Sequence, residues 1–212
     1  MYRSDRVGGG CLLYMHASLV VSDVTRYKDK ENNMVCCYLE SLHTLVAAIY
    51  RPPEAESSRF TNLLHKHHQK IDEFSSNNRM PDLYILGDFN FPELSWKTAL
   101  SPNNPSPSIS ELLEFMDKNL LSQLVKEPTR GANTLDLILT NTPRYVMEIR
   151  VRPTTLSDHS IINALLGYNM LENFQSPPPQ NNDPFSFRSI DYHEANFDAI
   201  NATLKDINWH LA

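Results

Sequence analysis

Asp82-Leu83-Tyr84-Ile85-Leu86-Gly87-Asp88-Phe89-Asn90 is the segment whose reading decides the architecture. Leu83 to Leu86 form a short unbroken apolar run closed by a glycine, the pattern of a buried strand. A carboxylate and a carboxamide follow two residues apart at the strand's C-terminal end, where the two-residue period points both the same way. The acid can take a proton from water or bind a hard cation. The amide can orient that water or a phosphate oxygen. Gly, Asp and Asn are also ordinary turn residues, and taken alone such a tetrapeptide is more often a turn than a site.

Outward from this segment the chain alternates strand-like and helix-like pieces. Residues 11–15, 35–39, 44–50, 83–86, 120–125, 135–140, 145–151 and 161–167 are short, apolar and bounded by turn residues, which predicts strands. Phe60, Leu63, Leu64, His67, Ile71 and Phe74 share one face of a predicted helix. A second helix is expected to begin at a capping box of Ser108 and Glu111 and to carry Leu112, Leu113 and Met116. Residues 95–108, with Pro102, Pro105 and Pro107, read as a long loop. The predicted class is α/β, strands dominating and two helices covering them.

The chain has 212 residues, 41% of them hydrophobic, enough for a core and too apolar for a disordered chain. No apolar run approaches the roughly 18 residues of a membrane span, and no signal peptide is visible at the N-terminus. Cys11, Cys36 and Cys37 make no even disulfide framework and have no zinc spacing, so the chain reads as intracellular and reduced. The net charge of −6 argues against holding nucleic acid by bulk electrostatics. Most of that acidity lies beyond residue 170, where 2 basic side chains face 6 acidic ones. Pro177 to Pro179 and Pro184 cannot sit in a helix or a sheet centre, so residues 169–190 read as a linker. Asp191 and Glu194 at capping spacing, then Phe197, Ile200 and Leu204, predict a helical tail over residues 191–212.

Three further groups can carry chemistry. Ser157-Asp158-His159 sets an acid and an imidazole side by side, suited to a metal and a phosphate, although the same tripeptide is an ordinary polar loop. Asp136 stands within the apolar run Leu135-Asp136-Leu137-Ile138-Leu139. Burying a lone carboxylate costs several kcal/mol, so a cation, an imidazole or a metal is expected beside it. Tyr50-Arg51-Pro52-Pro53 ends a strand in a phenol and a guanidinium. His65 and His68 have i, i+3 spacing that could grip a metal, but solvation of an exposed helix face is the simpler reading.

Taken in order, Gly8-Gly9-Gly10, Tyr50-Arg51-Pro52-Pro53, Gly87-Asp88-Phe89-Asn90, Thr129-Arg130-Gly131 with Thr134-Leu135-Asp136, and Ser157-Asp158-His159 resemble the endonuclease/exonuclease/phosphatase superfamily. The similarity is to the apurinic-type endonuclease domain of non-LTR retrotransposons and covers about residues 6–167. It implies a two-sheet α/β sandwich over residues 1–168 that nicks target DNA by metal-dependent phosphodiester hydrolysis, in the nucleus if functional. By the same resemblance Asp88 activates water and Asn90 orients it. His159 contacts the scissile phosphate, Asp136 sets the His159 tautomer, and Tyr50 supports charge developing on phosphorus. Asp158 would bind Mg²⁺ or Mn²⁺ and Arg130 would meet the DNA phosphates. The tail looks like a bridge toward a reverse transcriptase in the same polyprotein.

The family has a first strand ending in Asn and a later one ending in a metal-ligand Glu upstream of the triple glycine. Only seven residues precede Gly8 here. The resemblance therefore implies an N-terminally truncated domain, short of strands, with weak or lost nuclease activity. Two other readings stand beside it. One is a non-catalytic remnant or binding module, and the other is a phosphatase or phosphodiesterase of the same superfamily.

Overall fold

A computed structural model of the chain describes residues 2–6, 9–29, 32–76, 79–96 and 104–167. The predicted linker and helical tail lie outside the described residues. Among the described residues ten strands and two α-helices follow in order, with short 3-10 turns at Glu40–Leu42 and Pro143–Tyr145. The strands and α-helices are β1 (Tyr2–Arg6), β2 (Gly9–Leu13), β3 (Val21–Lys28), β4 (Asn33–Leu39), β5 (Thr44–Tyr50), α1 (Ser57–Phe74), β6 (Asp82–Asp88), α2 (Pro107–Lys118), β7 (Ser122–Gln123), β8 (Asp136–Thr140), β9 (Val146–Arg152) and β10 (Ile161–Leu166). A six-stranded sheet runs β3-β4-β5-β6-β8-β7, and β1-β2 and β9-β10 form two-stranded antiparallel sheets. Within the large sheet only β5 and β6 are parallel, and α1 is their crossover. The class is α/β, as the alternation of periods implies.

The two faces of the large sheet do different things. Met34 and Cys36 of β4, Leu45, Ala47 and Ile49 of β5, Leu83 and Ile85 of β6, and Leu137 and Leu139 of β8 face the helices and form the main core. From α1 come Phe60, Leu63, Leu64 and Ile71, and from α2 Ile109, Leu112, Phe115 and Met116. Phe74, at the end of the α1 stripe, stacks on Tyr38 with ring centroids 4.0 Å apart. The alternate residues point the other way. There Cys11 and Leu13 of β2 cover Val35 and Cys37 of β4, with Val46, Ala48 and Tyr50 of β5 packed alongside. All three cysteines are buried and unpaired in this packing, and burial raises each thiol above its ordinary range, so they behave as small hydrophobes.

Three local expectations are corrected. The α2 N-cap is Ser106 with Pro107 at the first helical position, and no side chain caps it; Ser108 is inside the helix and donates to Ser57 Oγ at 2.8 Å. A packing contact between helices thus replaces the predicted capping box. Of residues 120–125 only Ser122 and Gln123 pair with β8, because Leu120 adopts a left-handed conformation, φ 54°, and turns the chain. β3 is an additional strand. Its apolar residues Val21, Val24 and Tyr27 recur at threes, out of step with a strand's period of two. A register shift between Val21 and Asp23 absorbs the extra residue, so Val21 and Val24 still reach one face.

Among the described residues no helix is long and apolar enough to cross a membrane. His67 lies on the buried stripe of α1 with its ring edge-on to Phe115, centroids 5.7 Å apart, and neither ring nitrogen has a partner. Burial lowers its pKa from 6.5 to about 4. Between those values the unfolded chain holds a proton that the folded chain refuses, so this residue's contribution weakens folding as pH falls. His67→Leu should be the more stable protein in urea at pH 4.5. Its advantage over the wild type should grow by about 2–3 kcal/mol between pH 7 and pH 4, and an unchanged difference would show that the ring is not buried neutral. Gly87, with φ 146°, faces Ile49 so closely that a Cβ would sit 1.8 Å from its carbonyl oxygen. Gly87→Ala should therefore cost about 3 kcal/mol or more in the same titration.

Candidate active site

The site is built at the C-terminal ends of β5 and β6 and the start of β8. Parallel pairing sets Tyr50 opposite Asp88, and antiparallel pairing sets Asp88 opposite Asp136. Directly opposed residues share a face. Tyr50, Asp88 and Asp136 therefore form one row across three strands, on the face away from the helices. β6 keeps this pairing through residue 87 because a glycine there can take φ 146°, a backbone in which a side chain would meet the Ile49 carbonyl.

Beyond β6 the chain makes a tight turn. The Asn90 backbone N–H donates to Asp88 Oδ1 at 3.2 Å and Asn90 is left-handed, φ 49°, a conformation that asparagine tolerates well. Asn90 is 6% exposed, and its Nδ2 donates to the Arg51 carbonyl at 2.8 Å. On β8, the buried Thr129 hydroxyl accepts from the backbone N–H groups of Leu135 at 2.9 Å and Asp136 at 3.0 Å. The Thr129 carbonyl accepts from Ser160 N–H at 2.7 Å. One residue thus ties the start of β8 to the loop that carries His159. There the His159 N–H donates to Ser157 Oγ at 3.1 Å.

His159 Nδ1 lies 2.8 Å from Asp136 Oδ2, with each side chain about one-fifth exposed. Facing a carboxylate, Nδ1 is the protonated nitrogen, which leaves Nε2 for another group. Asp88 completes the cluster. Asp88, Asp136 and His159 each present a ligand atom, and these atoms all lie within 4.8 Å of one another. Burial, and then repulsion from Asp136, raise the Asp88 pKa from 3.8 to about 6, while His159 and the hydrogen bonds from Asn90 oppose the rise. A carboxylate in that range is poised to take a proton near neutral pH.

Of the residues singled out in the sequence, Asp88, Asp136 and His159 are brought together, and Tyr50 stands in the same row. Asn90 adjoins them through its backbone, with its amide turned into the protein. Asp158 points elsewhere. It pairs with Arg130, whose Nε and Nη2 donate to Asp158 Oδ2 at 2.7 and 2.6 Å, and both side chains are largely exposed. Arg130 holds Asp158 below the usual carboxylate range. In the sequence Arg51 stands out only as the guanidinium that ends a strand and Thr129 only as part of a motif, neither with a role of its own, yet each binds the backbone of a clustered residue. Their signal was faint, since the hydrogen bonds involved are mostly to main-chain atoms that any sequence supplies.

The six-stranded sheet, with helices on one face, thus carries a cluster of two carboxylates and an imidazole at its strand ends. Residues 44–163 match the family model described as endonuclease-reverse transcriptase. The chain belongs to that family. Among solved structures it is similar to the endonuclease domain of TRAS1, a telomere-specific non-LTR retrotransposon, with a TM-score of 0.53 and 14% identity over 79% of this chain and 80% of that one. It is also similar to the human Nocturnin catalytic domain with bound sulfate anion, with a TM-score of 0.43 and 16% identity over 73% of this chain and 64% of the other. No curated protein matches it in sequence.

The raised Asp88 pKa has a cost for folding. Between about pH 4 and 6 the folded chain holds a proton that the unfolded chain has lost, so this residue's contribution weakens folding as pH rises. Asp88→Asn should be more stable than the wild type at pH 7 by about 1–2 kcal/mol, allowing for solvent screening at this part-open position. Near pH 4 the two should unfold together. Equal stability at both pH values would mean that Asp88 is an ordinary solvated acid.

Proposed function

We propose that this chain hydrolyses phosphodiester bonds in DNA, cutting one strand to leave a 3′ hydroxyl that can prime reverse transcription. The observation that carries the reading is the cluster of Asp88, Asp136 and His159 at the strand ends, with a raised Asp88 pKa, in a chain of the endonuclease-reverse transcriptase family. Asp88 takes the proton of the attacking water as the water oxygen bonds to phosphorus; the P–O3′ bond breaks, and the departing 3′ oxygen takes a proton from solvent. Asp136 accepts from His159 Nδ1 and so aims Nε2 outward. A protonated His159 then donates from Nε2 to a non-bridging phosphate oxygen, where negative charge grows during attack. Tyr50, in the same row, supports that charge. Asn90 supports Asp88 by donating its backbone N–H to the carboxylate, which keeps the acting oxygen in place.

Asp88 and Asp136 would hold a divalent cation between their carboxylates, since both nitrogens of His159 are committed to Asp136 and to the phosphate. Carboxylate oxygens suit Mg²⁺ and Mn²⁺. Bound there, the ion would neutralise charge on the phosphate. Arg130 presents its guanidinium at the rim, where it would meet the DNA backbone, and Asp158 holds it in that position in the absence of nucleic acid. That pairing leaves Asp158 less available as an ion ligand than the two clustered carboxylates.

The test is nicking of supercoiled plasmid in Mg²⁺ and in Mn²⁺. Asp88→Ala and His159→Ala should each lower the rate by about 10²–10⁴-fold, and chelation of the metal should abolish it. DNA that is bound but never cut, or cutting indifferent to both substitutions, would overturn the proposal.

A further inference from the structure

Arg51 is 6% exposed, and its contacts converge on three consecutive residues of the site. Its backbone N–H donates to the Asp88 carbonyl at 2.9 Å. Its Nη1 donates to the carbonyls of Phe89 at 3.3 Å and Asn90 at 3.0 Å. Its own carbonyl accepts from Asn90 Nδ2 at 2.8 Å. The guanidinium carbon lies 4.2 Å from the centre of the Phe91 ring and 5.6 Å from that of Phe60. Both phenyl groups are buried, so the cation is enclosed by aromatic faces while its edge serves the turn.

From these contacts we infer that Arg51 is a positioning residue, the clamp that holds the Asp88–Asn90 turn in its working conformation. The role rests on reading Asp88 as the group that acts on water. The turn needs a clamp because it leaves the sheet. The Phe89 and Asn90 carbonyls are buried where strand pairing has ended, and unpaired buried carbonyls are costly. Asn90 is also left-handed, so the turn competes with relaxed alternatives in which Asp88 swings away from Asp136. A single planar guanidinium can stack on Phe91 and donate in its own plane to both carbonyls. An ammonium is a compact, strongly hydrated charge with no such plane. Pro52 completes the device. A residue before proline is held in extended conformation, and this keeps the Arg51 carbonyl turned toward the Asn90 amide.

The test compares Arg51→Met, Arg51→Lys and Phe91→Leu by amide hydrogen exchange and by nicking kinetics. Phe89 N–H is bonded to the Leu135 carbonyl and Asn90 N–H to the Asp88 carboxylate, so both report on the turn. In Arg51→Met their exchange should accelerate by about tenfold or more, while Ile85 and Leu139 at mid-sheet change by less than about threefold. The plasmid kcat should fall by about 10–100-fold with KM within about twofold, and Arg51→Lys should recover only part of the loss. Unchanged exchange at Phe89 and Asn90, or equal acceleration throughout the sheet, would overturn the assignment. If Arg51→Met does not fold, the same ratio of turn to mid-sheet exchange in Arg51→Lys and Phe91→Leu decides it. Absence of nicking by the wild type would count against the proposed function alone, because the exchange ratio needs no turnover.

Discussion

The contact between Gly87 and the Ile49 carbonyl governs the rest of the site. Gly87 adopts φ 146°, in which a Cβ would run into the Ile49 carbonyl, and only a glycine keeps this backbone while β6 pairs in register with β5 up to the last residue of each strand. That register sets Asp88 opposite Tyr50 and lets Arg51 N–H reach the Asp88 carbonyl. It also lets β8 add on the other side with Asp136 opposite Asp88. A side chain at residue 87 would push the strands apart at the place where the acid is presented. The row of functional groups depends on this steric condition before any electrostatic one applies.

Electrostatics then divides the labour among the acids. Asp136 has an imidazole 2.8 Å away, Asp158 has a guanidinium, and Asp88 has a like charge and partial burial. Partial burial beside a like charge pushes the Asp88 carboxyl toward neutral pH. The fold tolerates the resulting penalty because its main stabilisation lies elsewhere, in the apolar layer between the sheet and the helices. Thr129 supports the opposite bank. By accepting from the β8 backbone and from Ser160 it keeps Asp136 and His159 within hydrogen-bond reach although they are far apart in the chain.

Much of this was legible in the sequence, and what was missed has local causes. The α1 stripe from Phe60 to Ile71 keeps helical spacing, and those residues are the ones that face the sheet. β5 and β6 are short apolar runs whose helix-facing residues, Leu45, Ala47, Ile49, Leu83 and Ile85, are buried, while much of the other face is half-buried. β3 lacks that signature because a register shift disrupts its alternation, and Ser108 followed by Glu111 imitates a cap while its hydroxyl is spent on Ser57. Asp136 was legible as an anomaly, since an acid in an apolar strand requires a partner. Which partner it has could not be read from spacing.

By itself the sequence determined most of the strands and both α-helices, which acids stand at strand ends, and the order of motifs that marks the family. These properties are carried by neighbouring residues, whose side-chain periods and turn preferences act over a few positions. Tertiary structure alone decided which acids meet. Asp158 adjoins His159 in the chain yet turns to Arg130, whereas Asp136, twenty-three residues away, holds the imidazole. It also decided that Asn90 faces inward and that Arg51 is a buried clamp. The physical reason is that registry between strands and burial between layers bring together groups distant along the chain, and the pKa values, partners and directions of those groups follow from where they meet.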